Sequence, residues 1–169
     1  METNTKTQVG SYLTFVLASE LYAVHVKNVL NIVELTKITK VPRTPEYMLG
    51  IINLRGMVLP VVDARKKFGM PETEITTNTC ILVIEVTVLN KNLLVGLMVD
   101  GVKEVVEIDA SQVKEPPSVG FGNNNRFING VYNDAAGQFI MILDMEEVFS
   151  TEEVVALSNH TENVEQQAE

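Results

Sequence analysis

The chain contains the same passage twice, and this internal repeat restricts its fold more than any other feature. Three pairs of segments correspond, at a spacing that grows along the chain: Val26–Glu34 with Val99–Glu107, Gly50–Asn53 with Gly130–Asn133, and Gly56–Asp63 with Gly137–Asp144. The growing spacing indicates insertions in the second copy, which loops accept at low cost. Because the repeat is too long for a solenoid unit, it predicts two similar lobes of one molecule.

The two copies differ most clearly at one turn. The first copy has Asn53–Gly56, which includes Leu54 and Arg55, whereas the second has the longer Asn133–Gly137 without an arginine. We expect features common to both copies to form the scaffold. A feature that only one copy has, such as Arg55, is a candidate for function.

Short apolar stretches bounded by turn residues predict strands along most of the chain. The predicted strands are residues 12–17, 21–26, 33–39, 50–54, 57–62, 79–88, 93–99, 105–108, 130–133 and 139–143. Short helices are predicted at 63–69 and 144–149, and one helical turn at 47–49, while Pro60 indicates an edge strand or a bulge. Many short strands with little helix favour two small barrel lobes of about five strands each over a parallel α/β sheet.

The predicted organisation is one main domain, residues 12–155, between two flexible ends. The first copy covers about 12–70 and the second about 76–150, and exchange of strands between the two lobes is left open. Residues 1–11 are polar, and residues 156–169 are acidic and lack an apolar period, so both are predicted to be flexible.

Composition excludes several classes of function. The net charge is −9, from 13 Lys and Arg against 22 Asp and Glu, and residues 150–169 contain five of these acids. The body is therefore only mildly acidic and has no basic stripe for nucleic acid. The single cysteine, Cys80, cannot form an internal disulfide. Because the sequence shows neither a signal peptide nor a stretch long enough to insert into a bilayer, it predicts a soluble cytoplasmic protein.

No set of residues with catalytic or metal-binding spacing is present. His25 and His160 have no partner ligands at metal spacing, and the phosphate-binding, dinucleotide-binding and nucleophile motifs are missing. Asp63 and Asp144 occupy equivalent places in the two copies, each before a short helix, which favours helix capping over a catalytic carboxylate pair. We therefore predict no catalytic residue, no metal and no cofactor.

Two features are candidates for binding. Arg55 lies in a tight turn, where its planar guanidinium suits recognition, although spacing alone slightly favours a solvated turn arginine. Val26, Val29 and Ile32 are spaced by three, and the repeat supplies Val99 and Val102 at matching places. These residues form either ordinary core or an apolar wall on each lobe, in which case the two walls form a groove for an amphipathic helix.

The chain resembles the CheW family, the coupling proteins of bacterial chemotaxis. The resemblance covers about residues 12–155 and rests on Gly50–Gly56 with its N-L-R-G turn, Val58–Asp63, Gly96–Val102 and Phe139–Asp144. It implies an all-β fold of two pseudo-symmetric, five-stranded SH3-like barrels with a few short helices. It also implies a non-catalytic adaptor that is cytoplasmic and associated with membrane-bound receptor arrays.

The resemblance further implies two partners. One is the cytoplasmic tip of methyl-accepting chemoreceptors, and the other is the regulatory domain of the histidine kinase CheA. Carried onto this chain, it places a receptor helix near Val26, Val29, Ile32, Leu54, Arg55, Val99 and Val102. The kinase contact is expected at the end of a lobe and is not assigned to residues.

Two other readings of the sequence remain open. A small barrel that holds a small-molecule ligand between its lobes would need several polar groups converging on an apolar pocket, and the sequence shows few of them. An enzyme would need a catalytic set that the sequence does not display. The Gly- and Asn-rich loop 120–126 and the acidic residues 150–169 depart from the simplest family pattern, which leaves the choice of receptors open.

Overall fold

A computed structural model describes residues 9–72, 74–116 and 126–149 of the chain. The strands are β1 (Val9–Leu17), β2 (Glu20–His25), β3 (Val29–Glu34), β4 (Met48–Leu54), β5 (Met57–Asp63), β6 (Cys80–Val88), β7 (Lys91–Val99), β8 (Gly101–Asp109), β9 (Ile128–Asn133) and β10 (Phe139–Leu143). The helices are α1 (Ala64–Lys67) and α2 (Met145–Val148), and single 3-10 turns cover Val26–Asn28 and Ala110–Gln112.

The strands form two five-stranded sheets with equivalent orders. The first sheet runs β8-β1-β2-β10-β9 and the second runs β3-β6-β7-β5-β4. In the repeat, β1–β5 of the first copy are equivalent, in order, to β6–β10 of the second. Exchanging each strand for its equivalent converts one sheet order into the other. Each sheet therefore combines the hairpin of one copy with the last three strands of the other copy, so the copies exchange strands completely.

Three apolar cores hold the sheets together. A large cluster, which includes Phe15, Leu82 and Phe149, receives residues from both sheets, and a smaller cluster lies within each sheet. We call the large cluster the shared core. Each sheet thus closes around its own interior as a small barrel, and the two barrels pack on each other through the shared core.

Burial on both faces explains the apolar stretch at the start of β6. Ile81 and Val83 point into the interior of the second sheet, whereas Leu82 and Ile84 point into the shared core. A strand with only one buried face alternates apolar and polar residues, but a strand buried on both faces is apolar throughout. The thiol of the neighbouring Cys80 is half-buried, which raises its pKa.

Two-residue turns connect three of the hairpins. Ala18-Ser19, Arg55-Gly56 and Leu89-Asn90 all have positive φ, and the residues on either side of each turn are paired across the strands. This is the type I′ geometry, whose twist matches that of the strands it joins.

The two aspartates predicted to cap short helices do so. Asp63 Oδ1 accepts hydrogen bonds from the backbone N–H groups of Arg65 and Lys66, and Asp144 Oδ1 accepts from those of Glu146 and Glu147. The oxygens therefore satisfy N–H groups that a helix leaves unpaired at its start. The capping interpretation is confirmed.

Several predicted boundaries differ from the structure near the start of the chain. β1 begins at Val9, so three residues assigned to a flexible segment instead pair with β8. The strand predicted at 33–39 lies earlier in the chain, because Val29–Glu34 is the segment that pairs with β6. The helical turn predicted at 47–49 is wrong, since β4 begins at Met48.

The edge position inferred from Pro60 is also wrong. β5 lies between β7 and β4, and the register shift in this hairpin falls between Met48 and Gly50. The proline is accommodated because pairing with β7 begins only at Val61, the next residue. Its missing N–H therefore removes no bond from the ladder with β7.

The loop residues 120–125 and the acidic residues 156–169 lie outside the described residues, as do residues 1–8.

Candidate functional site

Arg55 occupies the tip of the β4–β5 hairpin with an exposed side chain. Its φ is 51°, Leu54 pairs with Met57, and the N–H of Gly56 donates to Asn53 Oδ1 at 2.8 Å. A type I′ turn points the side chains of its central residues away from the sheet. The guanidinium is thus carried outward on a turn that the neighbouring asparagine holds in shape.

The equivalent turn of the second copy has a different construction. Asp134 Oδ1 accepts hydrogen bonds from the N–H groups of Ala136 and Gln138, and the strands resume pairing at Asn133 and Phe139. An aspartate carboxylate therefore organises a longer loop. The difference between the copies at this turn is thus a difference of both geometry and charge.

The three residues spaced by three in the first copy differ in how deeply they are buried. Val26 lies in the 3-10 turn and is 36% exposed, and Ile32 on β3 is 43% exposed, whereas Val29 is half-buried against the shared core. β3 pairs Val29 with Ile84 and Ile32 with Leu82 on either side of a register shift, and both partners belong to the shared core. Residues directly opposite each other share a face, so Val29 and Ile32 point to the same side of the sheet. The bulge thus places two apolar residues three positions apart on one face.

The corresponding residues of the second copy lie deeper. Val99, at the end of β7, is 1% exposed and belongs to the shared core, while Val102 on β8 is half-buried against that core. β7 lies between β6 and β5, and Val99 pairs with Cys80 of β6. Val99 is therefore a core residue in this structure and presents no surface to a partner.

Two further apolar residues are exposed on these strands and are not among the predicted site residues. Leu30 on β3 is 55% exposed and Val105 on β8 is 57% exposed. Val105 stands 73 positions after Ile32, which is the spacing of the repeat in this region. The repeat register was thus the signal that could have found Val105.

The structure divides the predicted site residues among different regions. Val29 and Val102 border the shared core from β3 and β8, which are edge strands of the second and first sheet respectively. Leu54 instead packs into the interior of the second sheet, and Arg55 lies at the tip of its hairpin. The edges of β3 and β8, with Ile32 and Val105 exposed on them, form the candidate site, which we call the paired edges.

An ion pair joins the two copies. Arg65 of α1 is almost buried, and its Nε donates to Asp100 Oδ1 at 2.8 Å. Arg65 Nη1 also donates to the carbonyl of Pro71, and the N–H of Ala18 donates to Asp100 Oδ2. The pair therefore connects α1, the β7–β8 corner and the β1–β2 turn.

This environment shifts the pKa values of both partners. Burial opposes the charge of Asp100, but the hydrogen bonds from Arg65 and Ala18 together with the Arg65 charge prevail, so the pKa of Asp100 is held below its ordinary 3.8. The hydrogen bond to Asp100 likewise raises the pKa of Arg65. Both groups are therefore charged at neutral pH.

His25 ends β2 and has a structural role. Its Nδ1 accepts a hydrogen bond from the N–H of Lys27, and its ring meets that of Tyr12 edge-on at 5.0 Å. Burial, with the nearby charge of Lys27, lowers the pKa of His25. The histidine caps the 3-10 turn that precedes β3.

Comparison with known proteins gives the family. A family model described as a CheW-like domain matches residues 11–153. The chain belongs to the CheW family. The chemotaxis protein CheW of Klebsiella aerogenes is 30% identical over 149 residues, which is 88% of this chain and 86% of that protein. CheW of Rhizobium meliloti is 32% identical and covers 83% of this chain and 88% of its own length.

A solved structure agrees with this assignment. The crystal structure of the scaffolding protein TtCheW from Thermoanaerobacter tengcongensis matches with a TM-score of 0.73 at 32% identity, and covers 90% of this chain and 96% of that chain. The predicted family and the predicted all-β fold of two five-stranded barrels are thus confirmed. The chain is a coupling protein of chemotaxis signalling.

The described residues contain neither a membrane-length helix nor a cluster of metal ligands. Neither α1 nor α2, at four residues each, approaches the length of a membrane-crossing helix, and none of the helices described here qualifies. Within residues 9–72, 74–116 and 126–149, no three His, Cys, Asp or Glu side chains are grouped so that they could hold a metal ion.

Proposed function

We propose that this protein is a non-catalytic, cytoplasmic adaptor that joins chemoreceptors in the membrane to the histidine kinase CheA. It would bind the cytoplasmic tip of methyl-accepting receptors on one surface and the regulatory domain of CheA on another. The observation that carries the proposal is the pair of equivalent edges, β3 and β8, which border one shared core and expose Ile32 and Val105.

The paired edges suit an amphipathic helix. Exposed apolar side chains on two strands offer separate contacts to apolar residues that recur every three or four positions along a helix. Val29 and Val102 lie behind these contacts, half-buried in the shared core. A receptor helix on the paired edges would therefore cover apolar surface that the free protein leaves in water.

The kinase contact belongs at the end of a lobe in this proposal. β5 and β7 run parallel, so the turns that precede them lie at the same end of the second sheet. Met57 and Leu89 are 48% and 72% exposed there and would offer the kinase an apolar surface. Arg55, at the tip of the same hairpin, is assigned in this proposal to the receptor and not to the kinase.

Binding measured with two purified fragments tests the proposal. A receptor-tip fragment and the regulatory domain of CheA are each titrated with this protein, and then added together. We expect both fragments to bind, and to bind at the same time, because they use different surfaces. Failure of either fragment to bind, or competition between the two, would reject the adaptor arrangement.

A further inference from the structure

Each strand of the paired edges begins at a corner that carries a charged residue. Asp100 directly precedes β8, and Lys27 precedes β3 within the 3-10 turn Val26–Asn28. The two residues are equivalent, since each is the second residue of the repeated segments Val26–Glu34 and Val99–Glu107. The contacts that fix each corner therefore determine how firmly the following edge strand is positioned.

The repeat exchanges the charges at these corners. Arg65 pairs with Asp100, which ties the corner before β8 to α1. Glu146 takes the place of Arg65 in α2, just as Lys27 takes the place of Asp100. Lys27 and Glu146 are both exposed, and no ion pair joins these two described residues. The corner before β3 thus lacks the ion pair that fixes its equivalent.

A histidine fixes the corner before β3 instead. His25 Nδ1 accepts a hydrogen bond from the backbone N–H of Lys27 at 3.0 Å and caps the 3-10 turn. The corresponding residue of the second copy is Met98, whose thioether is only a weak acceptor. At the other end of the turn, Asn28 Nδ2 donates to the carbonyl of Glu85 on β6 at 3.0 Å. An imidazole and an amide therefore fix the two ends of this turn.

Packing against β1 sets the position of the imidazole. The ring meets that of Tyr12 edge-on, with 5.0 Å between centroids. A Cβ atom added at Gly10 would lie 3.3 Å from His25 Nε2, so the ring approaches the β1 backbone closely. The imidazole thus lies between β1 and the turn, with Nε2 directed at the strand and Nδ1 at the turn.

The cap requires a neutral imidazole. A ring nitrogen that accepts a hydrogen bond carries no proton, so the proton of His25 is on Nε2. Both nitrogens are donors in an imidazolium, and Nδ1–H would then face the N–H of Lys27, donor against donor. Protonation of His25 therefore breaks the hydrogen bond that caps the turn.

The surroundings favour the neutral form. His25 lines a pocket of about 160 Å³ with Tyr12, Lys27, Asp144 and Glu146, while β9 contributes an uncharged asparagine. The Asp144 carboxylate already accepts hydrogen bonds from the start of α2, and Glu146 is exposed. Burial, followed by the charge of Lys27, lowers the pKa of His25. The cap is thus present at neutral pH and is lost as the pH falls through this lowered pKa.

We propose that His25 is a positioning residue for the receptor-binding edge β3, and that its protonation in acid releases the 3-10 turn and weakens receptor binding. The inference rests on the proposed receptor contact at the paired edges. β8, with Val105, would remain fixed, because Asp100 stays ionised well below the pH at which His25 is protonated. Acid would therefore loosen one edge of the site, with Ile32, and leave the other in place.

Nuclear magnetic resonance of the full chain without receptor tests the cap. The His25 ring and the backbone N–H of Lys27 are followed between about pH 7.5 and about pH 5. We expect the Lys27 amide resonance to shift with the same midpoint as the ring, below the ordinary 6.5 of a histidine. Titration of a receptor-tip fragment then tests the effect on binding, and we expect the affinity to fall by about threefold to tenfold between about pH 7.5 and about pH 5.5.

Three variants separate the titration of His25 from other causes. His25→Asn keeps a good capping residue that does not titrate, so it should bind the fragment with the affinity of the wild type at neutral pH and lose the pH dependence. His25→Ala should bind weakly at both pH values. His160→Asn removes the other histidine of the chain and should keep the pH dependence of the wild type. If His25→Ala fails to fold, the wild type and His25→Asn still decide.

Two outcomes would overturn the proposal. A Lys27 amide that does not follow the titration of the His25 ring would show that the cap does not depend on protonation. An equal pH dependence in His25→Asn and the wild type would assign that dependence to the receptor fragment or to another group. A wild type that does not bind the fragment even at neutral pH would instead reject the proposed function, and the measurement without receptor distinguishes that failure from failure of the cap.

Discussion

Arg55 is the residue at which recognition can be separated from folding. Asp is well tolerated at positive φ in a type I′ turn, so Arg55→Asp should keep the hairpin, with a change in unfolding free energy of about ±0.5 kcal/mol. We predict that it weakens receptor binding by about 2 kcal/mol, or roughly 30-fold, because a charged contact is reversed. Thermal melts together with titration of the receptor-tip fragment check this.

Arg55→Asn is the matched control, since it keeps the turn geometry and removes the charge without reversing it. Its effect on receptor binding should fall between those of the wild type and Arg55→Asp. If Arg55→Asp binds the receptor fragment normally, the arginine is a solvated turn residue. A large fall in Tm for both variants would instead make it structural.

The ion pair between Arg65 and Asp100 contributes to the unfolding free energy. Asp100→Asn keeps the shape but leaves the charge of Arg65 without its partner in a largely buried position. Hydrogen bonds to charged groups contribute about 1.5–3 kcal/mol, so we predict a loss of about 2 kcal/mol in unfolding free energy at neutral pH. Urea denaturation of the two proteins measures the difference.

The same pair predicts a pH dependence. The pKa of folded Asp100 lies below its ordinary 3.8, so its carboxylate stabilises the fold at every pH above that value. This contribution is lost as the pH falls through the lowered pKa. The difference between wild type and Asp100→Asn should therefore be constant near neutrality and disappear in acid. A difference that persists after Asp100 has been protonated would assign the effect to another cause.

At the scale of elements, a charge placed on the paired edges should affect receptor binding but not folding. Ile32→Glu and Val105→Glu place a carboxylate on exposed strand positions, so each should change the unfolding free energy by less than about 1 kcal/mol. Either change should abolish receptor binding, since the contact closes without water around an unpaired charge. Binding of the CheA regulatory domain should persist.

Two further variants serve as controls for this experiment. Ile75→Glu makes the same change at an apolar residue that is 64% exposed and lies outside both edges, and it should leave receptor binding intact. Val29→Glu puts its charge against the shared core, and we expect a loss of more than about 2 kcal/mol in stability. Normal receptor binding by both Ile32→Glu and Val105→Glu would show that the receptor binds outside the paired edges.

At the scale of the whole molecule, strand exchange makes the two copies dependent on each other. Each sheet takes its hairpin from one copy and three strands from the other. A fragment that holds one copy therefore keeps only its two hairpins, loses the strands that join them into a sheet, and loses the shared core. We predict that fragments 1–75 and 76–169 are each unfolded alone, and that the intact chain unfolds in a single cooperative transition.

Circular dichroism checks this prediction on each fragment and on their equimolar mixture. Recovery of the β spectrum and of a cooperative melt on mixing would show that each copy completes the sheets of the other. A fragment that melts cooperatively by itself would show that one copy folds independently, contrary to the exchanged topology.

Local features were predictable from sequence because their causes are local. Asp63 and Asp144 cap helices through hydrogen bonds to residues two and three positions away, and the tight turns depend on the residues that form them. The repeat and its differing turn at Arg55 are likewise visible in the sequence itself. The family resemblance, carried by the same motifs, was enough to predict the fold class.

Burial at the candidate site was not predictable in the same way, because it depends on which strands become neighbours. Val26 and Val99 are equivalent in the repeat, yet Val26 leaves the sheet after β2, while Val99 ends an inner strand and is 1% exposed. The position of Pro60 also depends on neighbouring strands. It lies on the inner strand β5, where pairing with β7 begins only at the next residue, Val61. The sequence by itself determined the repeat, the turns, the caps and the family. Only the tertiary structure decided how the copies exchange strands, and therefore which apolar residues face a core and which face a partner, because those contacts join residues far apart in the chain.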